Sequence, residues 1–83
     1  MLAVIGGSGL TQLASLELVE RQRRRTPYGE PSAALSFGRI SGCPVVFLAR
    51  HGDDHGIPPH QVNYRANIWA LRECGPVGIV AVA

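Results

Sequence analysis

Two short segments of this sequence carry groups suited to holding an oxyanion. Gly6-Gly7-Ser8-Gly9 can curl its backbone N–H groups around an anion, because glycine tolerates positive φ, and the Ser8 hydroxyl adds another donor. The pattern is not the dinucleotide fingerprint G-x-G-x-x-G, since Gln12 stands where its third glycine is required, and the lysine of a P-loop is missing. A purely structural tight turn is the alternative reading. Arg50 and His51 form the second set: a planar guanidinium fork beside an imidazole that donates from one ring nitrogen when neutral and from both when charged. Their alternative reading is a solvent-exposed pair. His51, His55 and His60, with Asp53 and Asp54 between them, are residue types that ligate metals, but their spacing matches no standard zinc signature, and no metal is expected. Asp53 and Asp54 read as loop residues, and His60 as a polar group on a first helical turn. No Ser-His-Asp or Cys-His arrangement is present, so no residue is assigned to bond-making chemistry. Cys74 reads as a core or cap-region thiol, and Cys43 as a turn residue before a proline.

The elements that must position these groups follow from periodicity and punctuation. Met1 to Ile5 is a short apolar run ending in the glycine loop, which reads as a buried strand. Leu16 to Arg25 begins apolar and turns polar, as an edge strand or its frayed extension would. Thr26-Pro27-Tyr28-Gly29-Glu30-Pro31-Ser32 must be a loop, with two prolines and a glycine in seven residues. Ala34–Ile40 and Pro44–Ala49 are β-rich runs joined by Ser41-Gly42, which predicts a hairpin and puts Arg50-His51 at a strand's C-terminal end. Pro58-Pro59 and Gly75-Pro76 bracket a helix expected over 60–74. It has an apolar stripe of Val62, Ala66, Trp69 and Ala70 and a second one of Tyr64, Ile68 and Leu71, so it requires more than one packing partner. As a crossover between strands, this helix favours parallel pairing of Pro44–Ala49 with Val77–Val82. In open α/β sheets ligands bind beyond the carboxyl ends of strands, where both candidate segments lie.

Composition narrows the class. The 83 residues are 46% apolar and 17% charged with a net charge of +2, which is globular and too short for two domains. No apolar run reaches membrane-spanning length, and Met1 to Ile5 lacks the charged start and length of a signal peptide, so a cytoplasmic protein with reduced cysteines is expected. Arg21, Arg23, Arg24, Arg25 and Arg39 concentrate positive charge without interleaved aromatics; they read as a solvated strand end rather than a nucleic-acid surface. A domain of this size buries only about 60% of its unfolded surface. With an apolar run from Val77 to Ala83 and no polar tail, the expectation is an N-terminal piece of something longer.

Four segments in order, Ile5-Gly6-Gly7-Ser8-Gly9-Leu10, Thr26 to Ser32, Leu48-Ala49-Arg50-His51-Gly52 and Val62 to Leu71, resemble the N-terminal third of the S-methyl-5'-thioadenosine and S-methyl-5'-thioinosine phosphorylases. These belong to the purine nucleoside phosphorylase superfamily. The resemblance implies an α/β fold whose mixed sheet is flanked by helices, with residues 1–83 as the N-terminal portion of a single domain about three times this length. It further implies a homotrimer that needs no metal or organic cofactor. Inorganic phosphate attacks the anomeric carbon of a 5'-methylthio purine nucleoside, giving 5-methylthioribose 1-phosphate and free base. By the family's pattern Ser8, Arg50 and His51 hold the phosphate, with serine where many members have threonine. Groups for the purine and ribose would come from later chain. Ile57-Pro58-Pro59-His60-Gln61-Val62 is more similar to the bacterial thioinosine branch, which favours hypoxanthine as the leaving base. Two other readings stay open. Phe47 to Gly52 is also similar to the Arg-His-Gly segment of histidine phosphatases, which would make His51 a phosphoryl-accepting nucleophile. The chain could instead be a non-catalytic anion-binding or assembly fragment.

Overall fold

The computed structural model describes residues 1–7, 16–52 and 56–82. Five strands form one mixed sheet: β1 (Leu2–Gly6), β2 (Leu16–Gln22), β3 (Leu35–Ile40), β4 (Cys43–Ala49) and β5 (Gly78–Ala81), in the order β2-β3-β4-β1-β5. The hairpin side is antiparallel, and β4, β1 and β5 run parallel. At the hairpin, Ser41 and Gly42 have φ of 51° and 80°, the two consecutive positive values that let a two-residue turn match the twist of its strands. Cys43 is therefore the first residue of β4, opposite Ile40, and not a turn residue. Pro44 is tolerated in this inner strand because the pairing with β1 starts only at Leu2 and Val45.

β2 is the edge strand anticipated from its polar second half. It carries Glu17 opposite Arg39 and a register shift between Leu18 and Glu20, and both charge and bulge discourage pairing with another chain.

The expected pairing of Pro44–Ala49 with Val77–Val82 is corrected. The two strands are parallel, but β1 lies between them, with Ile5 opposite both Leu48 and Ala81. The crossover steps over one strand, a shift of about 10 Å, or two strand spacings. β1 gains a ladder on each edge, which suits the most central apolar segment: Ala3 and Ile5 are buried.

The helix is shorter than 60–74. A single 3-10 turn occupies Pro59–Gln61, Val62 is extended, and α1 spans Tyr64–Arg72. Its start is set by Asn63, whose side chain accepts from the Ala66 N–H at 3.1 Å and so replaces a missing backbone partner. His60 thus lies exposed on the 3-10 turn. At the other end Gly75 adopts φ 69° and its N–H donates to the Arg72 carbonyl at 3.0 Å, a stop that the Gly75-Pro76 pair announces.

Ala66, Asn67, Ala70 and Leu71 form the buried face of α1. Leu71 thereby moves from the second stripe into the core, packed with Ala3, Ile5, Leu35, Val46 and Leu48 from one face of the sheet. Apolar periodicity does not place it there because Asn67 is a polar member of this buried face. Tyr64 and Ile68 remain exposed, so a second apolar stripe does exist.

Candidate anion site

Gly6 and Ala49 are partners across the parallel β1–β4 ladder, so the glycine loop and the Arg50-His51 segment leave the sheet side by side at its carboxyl end. The Arg50 N–H donates to the Gly6 carbonyl at 3.0 Å and extends that ladder by one bond. The guanidinium reaches Gly7: a β-carbon placed on that residue would lie 3.9 Å from Arg50 Nη2. Ser8 lies outside the described residues, as do Asp53, Asp54 and His55.

Beyond Ala49 the strand bends into a turn closed by the Gly52 N–H on the Ala49 carbonyl at 3.1 Å, with buried Gly52 at φ 86°. This bend removes the strand alternation that would aim Arg50 and His51 to opposite faces. Ile57 clamps the histidine from two sides: its N–H donates to the His51 carbonyl, and its own carbonyl lies 2.9 Å from His51 Nδ1. A carbonyl can only accept, so Nδ1 carries a proton, and Nε2 is the acceptor nitrogen of the neutral ring. Arg50 and His51 are both half-buried.

The Thr26–Ser32 loop is tied to α1 by two asparagines that periodicity treats as ordinary polar positions. Asn63 donates from Nδ2 to the Tyr28 carbonyl at 2.8 Å while its Oδ1 caps the helix. Asn67, 1% exposed, accepts from the Ser32 N–H at 2.8 Å and donates to Ser32 Oγ at 3.0 Å. An asparagine on an apolar face four residues beyond a capping asparagine was the available signal. Truncating Asn67 leaves the Ser32 groups without these partners, so Asn67→Ala is expected to destabilise the fold by about 1–3 kcal/mol. Urea denaturation measures it, and a loss below about 0.5 kcal/mol, the range of ordinary surface changes, would show that the pair holds nothing.

Arg23 and Arg25 are exposed just beyond the end of β2, as a solvated strand end would be, and with half-buried Arg24 they line a cleft of about 910 Å³ whose other wall includes Gly52 and Ile57. Arg24 is fixed there by Gln22 Oε1, which accepts from its Nε and Nη2, and by the Phe37 ring 5.9 Å away. Among the described residues no group of three or more His, Cys, Asp or Glu is placed to hold a metal ion. Burial pushes the Cys74 thiol above its ordinary pKa, with smaller influences from Arg24 and Glu73, and its Sγ faces the Ala70 carbonyl at 3.5 Å, as a structural cysteine would.

The sequence profile of the phosphorylase superfamily matches residues 1–83, the whole of the sequence. The chain belongs to the phosphorylase superfamily. Among its relatives in that superfamily, a probable S-methyl-5'-thioinosine phosphorylase of Pseudomonas syringae pv. tomato is 55% identical over 80 residues, covering 96% of this chain and 32% of the relative. The S-methyl-5'-thioadenosine phosphorylase of Drosophila melanogaster is 55% identical over 74 residues, covering 89% of this chain and 26% of the relative. A crystal structure of a methylthioadenosine phosphorylase from an Antarctic soil metagenomic library superposes with a TM-score of 0.87 at 46% identity, over 96% of this chain and 28% of that one. This phosphorylase-superfamily chain thus spans about a third of the length of the curated relatives it matches. Its mixed sheet with a covering helix is the fold expected from the resemblance. A match across all 83 residues favours the phosphorylase reading over the histidine-phosphatase one, which rests on Phe47 to Gly52 alone. No helix among the described residues is long and apolar enough to cross a membrane.

Proposed function

We propose that this chain is the N-terminal part of an enzyme that cleaves S-methyl-5'-thioinosine or S-methyl-5'-thioadenosine with inorganic phosphate. The products are 5-methylthioribose 1-phosphate and the free purine. The observation that carries the reading is the Gly6–Ala49 register, which sets Gly6-Gly7 and Arg50 against each other at one end of the sheet. Relatives named for these two nucleosides support it. The Ser8 hydroxyl, the Arg50 guanidinium and His51 hold the phosphate. Nε2 of neutral His51 can accept a hydrogen bond from the P–OH of monohydrogen phosphate, and the charged ring can instead donate one to a phosphate oxygen.

The C1'–N9 bond breaks through an oxocarbenium-like state while a phosphate oxygen forms the new bond to C1', and the electron pair leaves with the base. A dianion fixed beside the sugar stabilises the developing positive charge and aims the nucleophile, a combination worth several orders of magnitude in rate. The complete enzyme, a cytoplasmic homotrimer of chains of the relatives' length, supplies the purine and ribose contacts from its later residues. Methylthioinosine is the preferred substrate. Incubating the complete enzyme with each nucleoside, with and without phosphate, and following free base is the test. Phosphate-dependent release of hypoxanthine is expected; release of base at the same rate without phosphate would sink the reading, and release of adenine alone would reverse the preference.

A further inference from the structure

Resting on the phosphorolytic reading of the Arg50-His51 end, we propose that the Arg23–Arg25 cleft is an electrostatic collecting site for the substrate phosphate, continuous with the site where it reacts. Gly52 and Ile57 belong to both places: they line the cleft, and they hold His51 by the turn at Ala49 and the Ile57 clamp. An anion at that wall of the cleft lies against the two residues that hold the histidine. Among the described residues the cleft carries three guanidinium groups against one carboxylate, Glu30. Arg24 is fixed by Gln22 and Phe37, whereas among the described residues Arg23 and Arg25 have no hydrogen-bond or ion-pair partner, so no described residue neutralises their charge.

A concave surface of one sign focuses field lines and raises the local concentration of counter-ions. At about 910 Å³ the cleft is far too wide to grip a single phosphate, which excludes a tight second subsite and suits a wet antechamber. Its ligand class is the small multivalent oxyanion, with inorganic phosphate as the occupant.

Such a role acts through charge and distance and not through fork geometry, which the variants separate. Titration calorimetry with inorganic phosphate on the complete enzyme should show R23S/R25S binding about fivefold more weakly than wild type at low ionic strength. The two should converge at about 0.5 M salt, where screening is nearly complete. R23K/R25K should restore wild-type affinity. In steady-state assays the same double serine variant should raise KM for phosphate by a similar factor, with kcat and the nucleoside KM unchanged. Equal phosphate affinity of wild type and R23S/R25S at low salt overturns the proposal, as does a KM effect that salt does not remove. A drop in thermal stability without a change in phosphate affinity also overturns it, because the arginines would then serve packing or assembly. The failure of the phosphorolytic reading is distinguishable: wild type would then cleave neither nucleoside with phosphate, while calorimetry still decides whether the cleft gathers the anion.

Discussion

Arg50→Ala in the complete enzyme is expected to lower kcat/KM for phosphate by about 10²–10³-fold, the usual cost of removing a donor aimed at an oxyanion. Affinity for the methylthio nucleoside should change less than about threefold, since Arg50 lies against Gly7 and is proposed to touch only the anion. The split between the two ligands is the informative readout. Equal losses for phosphate and nucleoside would mean that the substitution had disturbed the sheet end as a whole. Arg50→Lys should recover part of the loss and not all of it, because an ammonium keeps the charge but lacks the planar pair of donors. Initial rates over a phosphate series, with the nucleoside held saturating, decide between these outcomes.

Leu48→Ala should be the most destabilising single truncation near the site. Leu48 is fully buried near the C-terminal end of β4, opposite Ile5, in the cluster that Leu71 closes from the helix side. Deleting three buried carbons there costs the transfer energy plus a cavity, about 2–5 kcal/mol. The neighbours on either side are sheet backbone with fixed hydrogen bonds, so little collapse can offset the cavity. Urea-induced unfolding, read by tryptophan fluorescence of Trp69, gives the shift in midpoint. A change below about 1 kcal/mol would show that the β4–α1 interface is repacked, or covered differently, in the complete enzyme. Since Leu48 stands two residues before Arg50, a partial loss of fold should also weaken phosphate binding, and comparing Leu48→Ala with Arg50→Ala separates the two causes.

The exposed stripe of Tyr64 and Ile68 and the exposed Val80 of β5 fit a chain that is only about a third of its relatives' length. Both lie where a single helix and five strands provide no second layer. The apolar excess noted in the sequence therefore marks real unpartnered surface, although the stripe's third member, Leu71, belongs to the core.

What the sequence determined by itself was whatever local chemistry dictates. Ser41-Gly42 between two β-rich runs specifies the hairpin because only residues tolerating positive φ close so tight a turn. Gly75-Pro76 specifies the helix stop, and the Thr26–Ser32 prolines specify a loop. The four ordered segments specified the family, and with it Arg50 and His51 as anion-binding candidates. Only the tertiary structure decided that β1 separates β4 from β5, because parallel neighbours are chosen by burial of whole strands and a crossover can step over one as readily as none. That choice aligns Gly6 with Ala49 and brings Gly7 to Arg50. It likewise decided the roles of Asn63, Asn67 and the Arg23–Arg25 run. Their partners are contacts between elements: Asn63 and Asn67 reach residues 35 positions away, and the arginines meet Gly52 and Ile57 across a cleft. No periodicity or local propensity encodes such contacts, since they exist only once the chain has closed on itself.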